Sequence, residues 1–477
     1  MIDVETPRSP GWWLQVLTRQ LHDRRTGRLW QRGKTSNRGV RPGLELLRDY
    51  YDGEPPLPDC AAGWRDGMVQ FLRLSRMNYT ELIIGAVLDR MVPVGWRTGV
   101  DSDRDGDEVA KRVADVNAFE LVLGDAVEFM LSQGDGYMIV GEPRRGSDVP
   151  TVTAEDPQQV ITAHDAATGA TLAALKLYRD EWTGTDVAHV FTPGRVHVAR
   201  TGGRLALSGS ERFAATGWDW DEAGVDGRLL PDGLRDRVAV ARLRNRRGVA
   251  EHEPHLDVLD RINDGIFERV TIAKMQAFRQ RALLDAPNTY GEDHEKAGQE
   301  IDYTDAFSSD PGSLWLMPPG SKIWESQAID LGPVRLAIKD DVEAVAAVTR
   351  TPLHYVTPDA ASGSAEGAST MREGHVFRVE DRRRRADAGL AEVMSMVFAA
   401  MGDGERSRVE AIKTIWAPVE RYSMSERWQA AAAAKGAGLP QSSVFTDVAG
   451  YMPADLVRLE RERGDDLLFA PVPPAGG

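Results

Sequence analysis

Near the start of the chain, Trp12, Trp13, Leu14, Val16, Leu17 and Leu21 recur at the spacing of a short amphipathic helix. Residues 27–43 then read as loop. A second apolar cluster, Leu44 to Tyr51, is stopped by Asp52-Gly53 and the Pro55-Pro56-Leu57-Pro58 turn. Residues 78–91 read as a buried helix, with Asn78 as N-cap and Glu81 three residues on, where a capping box wants it. One longer helix is expected over 107–132, with Val109, Val113, Val116, Phe119 and Leu123 on one stripe, broken by Gly134-Asp135-Gly136.

From 137 to about 245 the pattern changes to short β-rich runs: Tyr137–Val140, Val160–Ala163, Ala173–Tyr178, Val187–Phe191, Arg195–Val198 and Val238–Leu243. Gly- and Pro-containing turns separate them, as in a mixed or antiparallel sheet. Pro254 then suits the first turn of a long helix running to about Leu284, with Leu256, Leu259, Ile262, Ile266, Val270, Ala273 and Ala277 on one stripe. The polar, Gly/Pro-rich stretch 285–332 holds one short β-like pair, Leu314–Met317 with Lys322–Glu325. A helix follows at 333–350 and a loop at 351–368. Thr370-Met371-Arg372-Glu373 fits a capping box opening a third long helix, whose stripe is Val376, Val379, Ala386, Leu390, Val393 and Val397. Residues 423–466 read as a helical tail, and Ala470–Gly477 as disordered. No internal repeat is visible. The fold class these elements predict is α+β, mainly helical.

At 477 residues the chain has room for two to four structural units. Hydrophobic residues make up 42% and charged residues 27%, ordinary for a protein with several cores. No run approaches a membrane span, and Met1-Ile2-Asp3-Val4-Glu5 lacks the order of a signal peptide. Cys60 is the single cysteine, so intrachain disulfides and thiolate metal clusters are excluded. A reducing, cytosolic folding site is expected. Net charge is −15, yet residues 1–50 hold ten Lys/Arg against five acids. A tight DNA binder shows the opposite overall balance, because affinity comes from cations that displace counterions from phosphates.

Candidate chemistry is sparse. Gly33-Lys34-Thr35 resembles the end of a phosphate-binding loop, but Arg28 stands where the first glycine belongs and no buried strand precedes it. Asp101, Asp103 and Asp105 before Gly106 alternate as Ca²⁺ ligands do, but the twelfth position, which needs a bidentate acid, is Arg112. The simpler reading is an acidic loop at a helix start. In His252-Glu253-Pro254-His255 the proline prevents the mid-helix geometry that would aim both rings at one metal. Ser364 has no glycine two residues before it and no preceding strand, so it is no nucleophile elbow. No cofactor, metal or enzymatic activity is expected. Arg382-Arg383-Arg384-Arg385 sweeps a full helical turn, so the four cannot face one DNA groove; a solvated or intersubunit face is the ordinary meaning.

Three stretches, in this order, resemble the portal proteins of tailed bacteriophages, particularly the branch of actinobacterial siphoviruses. The first is Leu46-Leu47-Arg48-Asp49-Tyr50-Tyr51-Asp52-Gly53 with Pro58, then Asn78-Tyr79 leading to Val87-Leu88-Asp89-Arg90 and Val94-Gly95-Trp96-Arg97. The second is the helix at 254–284, the polar insert, and a helix ending Ala347-Val348-Thr349-Arg350-Thr351-Pro352. The third is Pro352-Leu353-His354-Tyr355, then Ser362 to Ala368, then the long helix with its arginines. The chain departs from the family where Ser-Gly-Glu-Ala often stands, reading Ser364-Ala365-Glu366-Gly367-Ala368.

The resemblance implies a ring, usually of twelve subunits, through which double-stranded DNA passes without sequence preference. It implies an N-terminal and wing α/β region at 1–253, stem helices at 254–284 and 333–350, and a small α/β clip at 285–332. A channel loop at 351–368 would carry His354, Asp359, Ser362, Ser364 and Glu366. The wing helix and return would occupy 369–422, and the helical crown and tail 423–477. Trp315, Lys322, Trp324 and Glu325 in the clip would meet partners. Those partners would be the terminase large subunit, a head–tail adaptor, and major capsid and scaffold proteins, with no membrane. The setting would be the virion's portal vertex, and the host cytoplasm during assembly. The alternative is another head-morphogenesis or head-completion protein without a DNA channel; a hydrolase fused to a head-morphogenesis domain lacks a paired nucleophile and base.

Overall fold

A computed structural model describes residues 2–27, 40–57, 72–100, 106–202, 213–221, 224–277, 281–301, 303, 320–325, 327–356, 365–419, 424–451, 456 and 458–464. Several sequence readings fall outside these residues: Gly33-Lys34-Thr35, Cys60, the Asp101–Asp105 run, Leu314–Met317 with Trp315, the loop residues Asp359, Ser362 and Ser364, and Ala470–Gly477. The fold is α+β and mainly helical. It divides into two compact units, one of Met1–Pro56, Asn78–Asp257 and Glu343–Gly477, the other of Leu57–Met77 and Val258–Val342.

In the first unit, α1 (Pro10–Thr26) starts where Ser9 accepts from the Trp12 N–H and Pro10 takes the first position, and stops at left-handed Gly27. Helices α2 (Leu44–Tyr51) and α3 (Tyr79–Leu88) follow as read. Asn78 Oδ1 accepts from the Glu81 N–H at 3.1 Å and its amide reaches back to Glu81 at 3.3 Å. Strand β1 (Pro93–Arg97) precedes α4 (Glu108–Asn117), which Asp107 caps through the Val109 and Ala110 N–H groups.

The single helix expected over 107–132 is two. Ala118 takes a left-handed conformation at φ 48°, and α5 (Phe119–Gln133) begins anew beyond it. The kink rotates the stripe, so Val116 is exposed while Val113, Phe119 and Leu123 are buried. Beyond Gly134, β2 (Asp135–Pro143) runs so close to α5 that a Cβ on Gly136 would lie 2.1 Å from the Ala126 carbonyl oxygen.

The β-rich region forms two antiparallel sheets. Strand β2 lies between β3 (Pro150–Glu155) and β10 (Val240–Arg244). The larger sheet runs β4 (Val160–His164), β5 (Thr171–Asp180), β6 (Thr185–Thr192), β7 (Arg195–Thr201) and β8 (Trp218–Trp220), with β9 (Arg228–Leu229) beside β7. Period-two alternation explains its two faces: Ala173, Leu175 and Leu177 pack with Trp13, Leu14, Leu17 and Leu21 of α1, while Ala174 joins Tyr137, Ile139 and Phe191 on the other side.

Helix α6 (Leu256–Ala277) is shorter than expected. Residues Arg281–Leu284 leave it to form β11, paired antiparallel with β12 (Lys322–Glu325), so Leu284 faces Lys322. Helix α7 (Gly332–Thr349) matches its reading. Helix α8 (Ala365–Ala400) begins five residues before Thr370, so Thr370 and Glu373 sit within the helix rather than at its start; Glu366 lies in its first turn. Ala365 and Ala368 favour helix strongly enough to carry it through Gly367. Its stripe buries Val379, Ala386, Leu390, Val393 and Val397, which join Phe119, Leu123, Met130, Met138 and Leu243 in the largest core. Strand β13 (Lys413–Trp416) returns beside β1, and α9 (Met424–Gly436) opens the helical tail. Among the described residues no helix is long and apolar enough to cross a membrane.

In the second unit, α6 and α7 run antiparallel. Arg261 grips Asp341 with two bonds, 2.9 and 2.6 Å, and the missing side chain of Gly265 admits Ile338. Gln276 bonds the Ile329 carbonyl at 2.6 Å, and Asn263 accepts from the Met77 N–H at 3.1 Å. Met275, Leu284, Ile323, Ile329 and Leu336 are exposed.

Candidate functional site

The segment at 351–368 is anchored at its start by one buried charge cluster. Glu251, in the turn after β10, accepts from Arg378 and Arg382, which stand one turn apart on α8. The ion-pair distances are 2.8 and 2.6 Å. Asn245 adds a third bond to the same carboxylate at 2.9 Å. Arg378 also donates to the Thr349 carbonyl (2.6 Å), the Ile83 carbonyl (3.1 Å) and the Thr351 hydroxyl (3.3 Å). Burial alone would push the Glu251 carboxyl up; the two guanidiniums and their hydrogen bonds outweigh it and hold the group at about 2. Burial lowers the Arg378 guanidinium, and Glu251 opposes that shift.

From this cluster the chain passes into the segment under tight control. The hydroxyls of Thr349 and Thr351 are 2.8 Å apart, and Thr351 and Pro352 are buried. Leu353–Tyr355 forms a single 3-10 turn. Arg90 donates to the Tyr355 hydroxyl at 3.3 Å and to the Val419 carbonyl at 2.5 Å. His354 is exposed, edge-on to the Tyr355 ring at 4.6 Å. Of the five residues expected to line a channel, His354 is placed on this turn and Glu366 on the first turn of α8. Asp359, Ser362 and Ser364 lie outside the described residues. Of the four expected partner-contact residues, Lys322, Trp324 and Glu325 share β12 and are exposed, with Lys322 3.4 Å from Asp285.

The arginine run sweeps its turn as expected, but it is not a solvated face. Arg382 is spent on Glu251. Arg383 is buried, its guanidinium 5.3 Å from the Trp416 ring centre and bonded to the Arg90 carbonyl. Arg385 pairs with Asp381 at 3.0 Å, and only Arg384 projects well into solvent, beside Glu380. Only Arg382 meets an acid from a distant element, and removing that partner would leave a buried charge uncompensated, which is costly.

Above the cluster opens a cleft of about 660 Å³ that sequence reasoning missed. Arg378, Arg382 and Arg385 line it together with Glu251 and Asp381, and Arg246, Arg247 and Arg350 stand at its exposed edge. The local signal is Arg244-Asn245-Arg246-Arg247, a second arginine cluster besides the run on α8. His252 lies in the same turn, fully buried, with Nε2 3.1 Å from the Leu47 carbonyl. It is thus part of the packing, and among the described residues no group of three or more His, Cys, Asp or Glu could hold a metal.

No protein-family model and no curated protein matches the chain. Among solved structures it is similar to a chain from the virion of a native gene transfer agent particle, at 14% identity and a TM-score of 0.43, over 86% of this chain and 99% of that one. It is likewise similar to a chain from the neck of a native gene transfer agent particle computed with C12 symmetry, at 13% identity and a TM-score of 0.42, over 92% and 98% of the two chains.

Proposed function

We propose that this chain is a portal subunit of a tailed phage or phage-like particle, forming with further copies, twelve by family resemblance, a ring that conducts double-stranded DNA. The observation that carries the reading is the antiparallel pair α6 and α7, tied by Arg261–Asp341 and joined through an insert containing the β11–β12 ladder. That arrangement is what supports the stem and clip reading that the resemblance implies. Its exposed apolar side chains, Trp324 at 50% among them, suit a surface covered by other subunits or by tail and motor proteins.

The charge supports a conduit better than a binder. Each phosphate neutralised by an arginine or lysine adds an attachment that translocation must break. Twelve copies at −15 would carry about −180, a repulsive sleeve that keeps DNA centred. Chemical energy would come from the terminase large subunit, with the ring itself non-catalytic. The head–tail adaptor, major capsid and scaffold proteins would be its other partners, at the portal vertex of the virion. The competing reading, a head-completion protein without a channel, needs no paired helices around a polar insert. Negative-stain images of the purified full chain decide between them: rings with a central hole are expected, and a population of lone particles overturns the proposal.

A further inference from the structure

Two features of the first unit are complementary in charge. At the tip of the β5–β6 hairpin, Trp182 is 95% exposed, extreme for so large an apolar side chain. The tip is built to hold it there. Asp180 Oδ1 accepts from the Trp182 N–H at 3.0 Å and the Thr183 N–H at 3.4 Å, the Gly184 N–H reaches the Asp180 carbonyl at 2.7 Å, and the Thr183 and Thr185 hydroxyls are 2.8 Å apart. Beside the ring, Glu181 is exposed and has no cationic partner among the described residues. The cleft is the converse. Arg246, Arg247 and Arg350 are exposed at its edge with no acidic partner among the described residues, although the protein as a whole is acidic. Arg247 and Arg350 hold left-handed backbone conformations, at φ 60° and 55°. Two bare apolar side chains, Val348 at 63% and Phe377 at 53% exposure, stand among them.

We propose that the hairpin tip of one copy seats Trp182 and Glu181 in the arginine cleft of the next, so that a head-to-tail contact closes the ring. The inference rests on the ring reading above and adds the contact that builds it. Pockets of ~300–1,000 Å³ take a drug-sized molecule, and a tryptophan with its neighbouring carboxylate is no larger. The indole gains from Phe377, Val348 and the guanidinium planes, the carboxylate from the unpaired arginines. A tryptophan held rigid before contact loses little freedom on docking, and tryptophan with arginine is the pairing that dominates interface energetics. A free phosphate or a DNA backbone would use the arginines but not Val348 and Phe377. A knob on one face and a socket on another is a heterologous pairing, which makes rings where the rotation closes.

The test uses the full chain by sedimentation velocity, at protomer concentrations where the wild type forms rings. Trp182→Ala and the double variant Arg246→Glu with Arg350→Glu should each weaken assembly at least tenfold, with wild-type melting curves because all three positions are exposed. An equimolar mixture should form one-to-one pairs and no rings, since one variant keeps a good socket and the other a good knob. Glu181→Arg combined with Arg350→Glu in one chain should assemble better than Arg350→Glu alone. Variants that form rings as readily as wild type overturn the contact while leaving the portal reading standing, and so does a mixture that yields no pairs. Arginine variants that keep the ring but lose retention on double-stranded DNA overturn it in favour of a phosphate-binding cleft. A wild type that stays monomeric overturns both.

Discussion

Arg378 Nη1 lies 2.6 Å from the Thr349 carbonyl oxygen, so one side chain of α8 closes the C-terminal end of α7. The same guanidinium reaches Thr351, the first residue of the segment expected to project into a channel, and is neutralised by Glu251. Beginning, counter-charge and far support of that segment thus share one buried ionic node.

Removing the counter-charge should therefore be expensive. Glu251→Ala leaves two guanidiniums facing an empty acceptor and is expected to cost about 3–5 kcal/mol, read as a lower melting temperature. The acid dependence has a definite direction. Glu251 is held at about 2 against 4.5 for a free glutamate, so its contribution is complete above about pH 4.5 and is lost as the pH falls towards 2. A melting temperature unchanged by the substitution would remove the node from the account.

His252 contributes an acid-sensitive slope at milder pH. Burial holds its imidazole at about 4, below the ordinary 6.5. The unfolded chain therefore takes up a proton between those values that the folded chain refuses, and stability drops as the pH falls from 6.5 to 4, by roughly 3 kcal/mol for this group. His189 and His375 shift the same way. Urea midpoints measured across this range should fall with acid, and His252→Gln should make the fall shallower; an identical slope would contradict the assignment.

Ala118 carries a left-handed conformation that costs a residue with a Cβ roughly 1–2 kcal/mol. Glycine relieves it but is freer in the unfolded chain, by about 0.5–1 kcal/mol. Ala118→Gly should therefore raise stability by about 0.5–1 kcal/mol in chemical denaturation. A loss would mean that the methyl group supplies packing worth more than the backbone relief.

The proposed repulsive sleeve has its own test in the particle. Ser362→Lys or Ser364→Lys would place a ring of new cations in the segment, each able to hold a phosphate, and should slow or stall DNA packaging. Packaging at the wild-type rate would count against a channel role for 351–368.

What could be read without a structure was whatever depends on near neighbours. Apolar residues three and four apart located α1 and the buried stripe of α8, and the Asn78–Glu81 spacing marked the start of α3, because a helix makes neighbours of residues one turn apart. The β-rich runs between 137 and 245 emerged as strands for the same local reason. Tertiary pairing decided the rest. Arg281–Leu284 fell inside the helix expected to run to about Leu284 and is instead a strand, paired with Lys322–Glu325. Ala118 gave no breaking signal, since alanine favours helix and only the packing of α4 and α5 against different neighbours demands the turn. The arginine run of α8 read as a solvated or intersubunit face, and the acceptor of Arg382 was out of local view because Glu251 lies 131 residues before it. Charge neutralisation, unlike periodicity, depends on distance in space, and that distance exists only once the chain has folded.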